Sequence, residues 1–401
     1  MTFDVIIIGA GASGLIAAIH ATQRGRKTLV IDHAPKAGQK MLITGGGKCN
    51  ITNRHLSVND YFGEDNTFCK YALKRFPTAS VLHLLQEANI ETEERELGRI
   101  FCKKGAHEIV AHLVRTAEQQ GVLFSMNMHV SDIRHHNNTF IVTCETHHTN
   151  TFVVECETHQ YQSEHLLIAT GGLAWPQIGA TDFGYTIAKQ FGHTIIPLRP
   201  ALAGFILPRY SLLRDLQGIS LDVQVLLKAG SRIIEEPLLF THHGISGPAS
   251  LQASCFWEKG DTLLINFLPE DDIILQMHKP GNGKLFVKNL ANRFLPERLA
   301  QALIPERFFT RKVAELSKES RKTIGECIHR YPVTPMDVEG YTKAEVTSGG
   351  VSTADINPKS MESQLVKGLY FSGEVIDITG RLGGYNIHWA FASGFIAGNN
   401  M

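Results

Sequence analysis

Residues 4–32 read DVIIIGAGASGLIAAIHATQRGRKTLVID, and this stretch decides the fold. Asp4 to Ile8 is a short, continuous apolar run, as expected of a strand buried on both faces of a parallel sheet. Gly9, Gly11 and Gly14 follow at once in G-x-G-x-x-G spacing. Residues 15–25 then read as a helix that Gly25 ends, and 28–32 as a second apolar strand finishing at Asp32. The glycine at each position has a physical reason. Gly9 permits the tight turn, Gly11 lets a pyrophosphate come close, and Gly14 lets the helix pack against the strand. Negative phosphates sit at the helix N-terminus, where free N–H groups and the helix dipole favour them. Asp32, 18 residues past Gly14, is placed to accept hydrogen bonds from a ribose hydroxyl. An acid there opposes a 2′-phosphate, and hence NADP at this site. Strand, turn, helix, strand and acid in that order specify an adenine dinucleotide. They do not choose between NAD and FAD.

The whole chain sets broad limits. A length of 401 residues predicts two or three domains with ample core, and 43% apolar residues fit an ordinary globular protein. Lys plus Arg and Asp plus Glu balance at 39 each, so overall charge names no partner. The N-terminus lacks the basic region and cleavage pattern of a secretory signal, and its apolar run falls short of the ~20 residues of a membrane span. The seven cysteines (49, 69, 102, 144, 156, 255 and 327) are scattered, odd in number and form no C-x-x-C. That argues against a disulfide scaffold, a structural zinc site and a C-x-x-C redox pair, and for a reducing cytoplasm.

Three further segments bear on the cofactor. MLITGGGKCNITN, residues 41–53, sets three glycines beside a lysine. A nucleotide P-loop would need Gly at 42 and Ser or Thr at 49, whereas the chain has Leu42 and Cys49. The P-loop reading fails at both ends; a glycine strip running along the rest of an extended dinucleotide and a plain flexible loop remain open. HLLIATGG, residues 165–172, is an apolar strand ending in Ala-Thr-Gly-Gly, the kind of strand end at which flavoproteins with two dinucleotide-binding domains pass the cofactor. GLYFSGEVID, residues 368–377, is another buried strand with an acid near its end, and Gly383-Gly384 precede a helix of small and apolar residues. In an FAD-bound Rossmann unit such an acid, here Glu374, lies near the ribityl chain. The next helix aims its N-terminus at the flavin pyrimidine edge, where negative charge collects on reduction. Segments from both ends of the chain therefore converge on one site, which favours FAD.

At this point the residues carry a resemblance. GQKMLITGGGKCNITN (38–53), THHGISGP (241–248) and the long run from Gly349 to Gly398 resemble the bacterial HI0933-like flavoproteins over essentially the full chain. The resemblance implies FAD in a Rossmann-type α/β domain of the two-dinucleotide-binding-domain type, made from both termini with an inserted domain between. It also implies that Gly45 to Asn50 lie along the FAD near its reactive end, and that the activity is reduction of an activated carbon–carbon double bond. Members act on ring enones of bile-acid type and on a uridine of 23S ribosomal RNA, giving dihydrouridine. On this reading the cofactor-binding residues are Gly9, Gly11, Ser13, Gly14, Asp32, His33, Lys40, Met41, Thr44, Gly45, Gly46, Gly47, Lys48, Cys49, Asn50, Val130, Thr170, Gly171, Gly373, Glu374, Asp377, Gly383, Gly384, Asn386 and Ile387. The chain departs from the family pattern twice: Cys102 stands where Pro is expected after Phe101, and Asp355 where Glu is expected. Both departures fall on positions that could touch the substrate side.

Between the terminal parts the texture changes. An inserted domain is expected at about 195–342, with antiparallel strands over about 195–268 and short helices, broken at Pro296 and Pro305, over about 270–330. From Lys279 to Lys322 there are eleven Lys or Arg against four Asp or Glu, an excess of seven positive charges. Such clustering is the electrostatic footprint of a phosphate-rich partner, ribosomal RNA on the family reading, although a solvated helical face carries the same pattern. Thr241-His242-His243-Gly244 forms a polar turn with no carboxylate at ligand spacing, so no metal is expected there; His242 either faces substrate or caps the turn. The pair His147-His148 sits in a polar stretch that reads as an exposed hairpin. Reduction of a double bond needs a proton donor, for which Cys49, Cys102 and His242 are candidates; a small buried hydrophobe is the alternative for either cysteine. No second G-x-G-x-x-G exists, so NAD(P)H is expected as a visiting reductant without a Rossmann domain of its own.

Overall fold

In a computed structural model the chain forms two compact units, one of residues 1–200 with 345–401 and one of residues 201–344. The structure describes residues 1–150, 153–227 and 232–401, and of residues 147–150 and 153–157 the backbone alone. The hairpin expected to expose His147 and His148 therefore lies outside the described side chains.

The first unit is built on a seven-stranded sheet. Strand Thr2–Ile8 runs parallel to Thr28–Ile31 on one side and to the end of Val153–Ile168 on the other. Leu123–Ser125 continues the parallel set beyond Thr28–Ile31, and Leu369–Phe371 joins it beside Leu166–Ile168. Val5, Ile6, Ile7, Val30, Ile31, Leu166 and Ile168 are fully buried, which is why these segments read as unbroken apolar runs. The long strand Val153–Ile168 changes partner along its length. Its first part makes an antiparallel ladder with Thr139–Asn150, itself paired with His129–His136, and its last three residues take Leu369–Phe371.

Helix Ala12–Gln23 packs along the C-terminal helix Tyr385–Gly398, which joins the two ends of the chain in one core. Contact is backbone-close: a Cβ on Gly394 would press into Ser13, and one on Gly398 into Ala17. The small residues that read as tight packing in the C-terminal segment have this cause. Strands Asn50–Asn53, Arg99–Cys102 and Thr92–Arg95 form a separate antiparallel sheet of three.

Ile195–Ala201 pairs with Val346–Val351. That pairing draws residues 195–200 into the first unit, so the division falls at 200/201 and 344/345 rather than at the 195 and 342 suggested by texture. The second unit holds a seven-stranded antiparallel sheet in the order Tyr331–Val333, Leu263–Asn266, Ser220–Leu227, Arg232–Phe240, Gly244–Ser246, Phe205–Ile206, Asp337–Val338. Alternate residues of its longest strands are buried, with Val223, Val225, Leu238 and Phe240 in a core shared with Leu299 and Ile324 from the helices. Those helices are Ile273–His278, Val287–Ala291, Glu297–Leu303, Glu306–Phe309 and Lys318–His329. Pro296 and Pro305 sit immediately before two of them, where a missing N–H costs nothing. Among the described residues no helix is long and apolar enough to cross a membrane.

Candidate active site

All five parallel strands of the first unit end on one edge, and the dinucleotide residues follow those ends: Gly9 after Ile8, Asp32 after Ile31, Thr170 after Ile168 and Gly373 after Phe371. That edge is where open α/β sheets bind ligands. The Asp32 carboxylate is locked by two backbone donors, Ala10 N–H at 2.7 Å and Ala34 N–H at 2.8 Å. Because Ala10 belongs to the glycine turn, the acid braces the turn while its remaining lone pairs point into a cavity of about 240 Å³. Ile8, Ile31, Met128, Val130 and Phe183 make that cavity mostly apolar, with Asp32, His33 and Thr170 on its wall. An adenine ring fits the apolar part and a ribose the acid. Two buried polar atoms on the wall, His33 Nε2 and Thr170 Oγ1, have no protein partner. Gly11 and Gly171 leave open space where a Cβ would stand, as backbone approached by a pyrophosphate requires. Gly14, by contrast, is filled: a Cβ there would strike the Gly9 carbonyl. Ser13 is buried, its hydroxyl donating to Ser372 O at 3.4 Å.

The glycine strip lies next along the site. Helix Gln39–Ile43, in which Met41 is buried, ends in a turn at Thr44, whose hydroxyl donates to Met41 O at 2.8 Å. Gly45 and Gly46 then take left-handed backbone conformations with φ of 58° and 65°, which an L side chain would strain. The turn resolves into a strand, Asn50–Asn53, and not into the helix that a P-loop feeds. Gly45, Gly46 and Lys48 are exposed, whereas Cys49 is fully buried, and Asn50 Oδ1 is buried without a protein partner. This strip is fastened to the C-terminal helix. Thr52 Oγ1 bonds His388 Nδ1 at 2.8 Å, Asn53 Nδ2 donates to Gly383 O at 3.2 Å, and Gly384 sits so close to Thr52 that no Cβ would fit. Gly384 caps the helix N-terminus with φ of 94°, and Asn386 pins the approach by exchanging hydrogen bonds with Gly380 at 2.8 and 2.9 Å. Ile387, half-buried, lies in the first turn.

Lys40 and Glu374 form an ion pair at 2.6 Å, and the second Glu374 oxygen accepts from Thr347 N–H at 2.8 Å. Gly373 donates its N–H to Ser393 at 2.9 Å, which places Glu374 over the C-terminal helix. Asp377 is turned into the protein instead: it is 2% exposed and accepts from Glu64 N–H at 2.8 Å, and burial pushes its carboxyl above the usual range. Its place is that of a buttress between loops. Asp355 likewise binds the chain, accepting from Thr194 N–H at 2.8 Å. Of the three candidate proton donors, the structure brings Cys49 and Cys102 together, since Asn50 pairs with Phe101 across the strands and the Cys102 N–H donates to Lys48 O at 3.1 Å and to Cys49 O at 3.4 Å. The neighbouring Cys102 thiol lowers the Cys49 pKa, and the Cys49 sulfur together with burial raises that of Cys102. His242 belongs to the other unit, exposed on a turn whose His242 carbonyl accepts from Arg214 Nε at 2.9 Å. Among the described residues no group of His, Cys, Asp and Glu is arranged to hold a metal ion.

Residues 3–400 match the family described as the HI0933-like protein Rossmann domain. The chain belongs to the HI0933-like family. This HI0933-like protein is 39% identical over 398 residues to the ribosomal RNA dihydrouridine synthase of Haemophilus influenzae, covering 97% of this chain and 96% of that one. It is 37% identical over 408 residues to the enzyme of the same name from Escherichia coli K12, covering 100% of this chain and 98% of that one. The 3-dehydro-bile acid delta(4,6)-reductase of Clostridium scindens is 27% identical over 415 residues, with 98% and 97% covered. FAD is the cofactor this site is built for, on the fit of cavity, open glycines and orphaned polar atoms described above. Met128, His129, Thr181 and Phe183 also line the cavity of this HI0933-like protein, and the sequence reading missed them. The first two follow strand Leu123–Ser125, so a third parallel strand would have been the signal; Thr181 and Phe183 carry none.

Proposed function

We propose that the chain is an FAD-dependent reductase of an activated carbon–carbon double bond, acting on a uridine of 23S ribosomal RNA to give dihydrouridine. The observation that carries this reading is the full-length similarity, at 39% identity, to a ribosomal RNA dihydrouridine synthase. Two features of the chain itself support it. The dinucleotide residues follow the ends of the parallel strands, and the second unit carries a cluster of exposed basic residues. Of the eleven Lys and Arg between 279 and 322, all but Arg321 are exposed, and among the described residues Lys322 alone has a carboxylate partner, Glu326 at 3.8 Å. Unpaired exposed cations of this kind attract a polyphosphate and leave counterions to be released.

Held by the cofactor residues, FAD in its reduced form would supply the hydride that one carbon of the acceptor double bond takes up. The chain's own residues do the rest. Asp32, with Gly11 and the N-terminus of helix Ala12–Gln23, fixes the dinucleotide; the Lys40–Glu374 pair and the N-terminus of the C-terminal helix hold the far end. Cys49 and Cys102 are the candidates for holding the proton that the second carbon takes up. NAD(P)H serves as visiting reductant, and the substrate places the protein in the cytoplasm. The test is to delete the gene and map dihydrouridine in 23S rRNA. Loss of the modified position, restored by the wild-type gene and not by Asp32→Ala, is the expected result, and an unchanged map refutes the RNA substrate. The bile-acid reductase relative motivates the second reading, a small ring enone as acceptor. Reoxidation of the reduced protein by an enone and not by an rRNA fragment would establish that instead.

A further inference from the structure

Cys49 lies just before strand Asn50–Asn53, in a left-handed backbone conformation with φ of 52°, and Cys102, 53 positions on, ends the neighbouring strand Arg99–Cys102. Asn50 pairs with Phe101, and the Cys102 N–H donates to Lys48 O at 3.1 Å and to Cys49 O at 3.4 Å. The bond from Cys102 N–H to Cys49 O keeps the two backbones within hydrogen-bond distance of each other. A disulfide spans about 4.4–6.8 Å. We propose that Cys49 and Cys102 are a thiol oxidation site that closes to an intrachain disulfide on reaction with a hydroperoxide.

The two sulfurs have distinct roles. Beside the Cys102 thiol the pKa of Cys49 is lowered while that of Cys102 is raised, which favours a Cys49 thiolate, and the thiolate is the nucleophile. It attacks the near oxygen of hydrogen peroxide; the O–O bond breaks, and hydroxide leaves and is protonated to water. Cys102 then attacks the sulfur of the Cys49 sulfenic acid, an S–S bond forms, and the second oxygen departs as water. Two thiols and one peroxide become one disulfide and two waters, with two electrons passing from sulfur to oxygen. Both thiols are fully buried, and the turn that leads into Cys49 is closed by Cys49 N–H donating to Thr44 O at 3.0 Å and Lys48 N–H to Gly45 O at 3.3 Å. With Gly45, Gly46 and Lys48 exposed, local opening of this turn admits a molecule the size of water. Once formed, the disulfide ties the glycine strip to strand Arg99–Cys102.

Trypsin reads the site cleanly, because Lys48, Arg54, Arg99 and Lys103 release residues 49–54 and 100–103 as peptides with one cysteine each. The FAD-loaded full chain is exposed to a few equivalents of hydrogen peroxide, denatured in N-ethylmaleimide and digested without reductant. The expected product is the two peptides joined, lighter by two hydrogens than their sum and separated again by dithiothreitol. Cys102→Ser and Cys102→Ala should both lose the joined species. Flavin absorbance and circular dichroism check that each variant is folded. Recovery of both wild-type peptides with maleimide attached, or of Cys49 as sulfinic acid with Cys102 still alkylated, would overturn the proposal.

Discussion

Asp32 shows how one side chain serves turn and ligand together. Its carboxylate already holds two backbone amides, so its position is set before any ribose arrives. Asp32→Ala removes both functions. With hydrogen bonds to a charged acceptor contributing about 1.5–3 kcal/mol, FAD affinity should fall roughly 10- to 100-fold. The ratio of flavin to protein absorbance in the purified variant measures this, and a fully yellow protein refutes the ribose role. His388 acts at the opposite end of the site. Burial pulls its pKa from 6.5 to about 4, and its ring bonds Thr52 and Phe76 O, at 2.8 and 2.9 Å. The folded protein thus resists protonating a group that the unfolded chain protonates freely. The stabilising contribution is complete above pH 6.5 and is lost as pH falls from there to about 4. The shift corresponds to about 3 kcal/mol. Urea unfolding at several pH values should show that loss in the wild type and a shallower one in His388→Gln.

At the scale of elements, two glycines that look alike in the sequence separate in the structure. Gly11 opens a helix into free space, with φ of −82° and no atom within 4 Å of a built Cβ. Gly384 opens a helix at φ of 94° with its Cβ position filled by the Thr52 backbone. Gly11→Ala should therefore leave stability within about 1 kcal/mol while a methyl in the phosphate path lowers FAD affinity at least about tenfold. Gly384→Ala should cost about 2–4 kcal/mol through strain and overpacking, with flavin lost as a consequence of unfolding the helix from the strip. Urea midpoints and FAD titration on both variants decide this; equal behaviour would show that the pyrophosphate does not pass Gly11. What was legible follows the same line. The opening strand, turn, helix and acid are local signals, so spacing alone places Gly9, Gly11, Gly14 and Asp32. Contacts such as Thr52 with His388, or Cys49 with Cys102, depend on strand and helix pairing across long separations, on which neither residue's neighbours carry information.

For the whole molecule, the relevant fact is segregation of charge. The chain sums to zero, yet residues 279–322 hold an excess of seven positive charges on short helices of the second unit, while the cofactor residues lie in the first. Texture in the sequence revealed this division approximately; its edges were hidden because Ile195–Ala201 finds its partner, Val346–Val351, only after the whole insert has been threaded. If the proposed RNA substrate is held through phosphate neutralisation by this basic segment, its affinity falls steeply with salt. Lys284, Lys288 and Arg311 are exposed and without carboxylate partners among the described residues. Replacing all three with Gln should weaken binding of an rRNA fragment and, if each meets one phosphate of a single strand, reduce the slope of log K against log salt by roughly 2. Because these residues lie in the other unit from the FAD site, flavin content should stay at the wild-type level. Fluorescence anisotropy with a labelled rRNA fragment from low to moderate salt measures both quantities. An unchanged slope with unchanged affinity would mean that this face is only solvated, and that the RNA is gripped elsewhere.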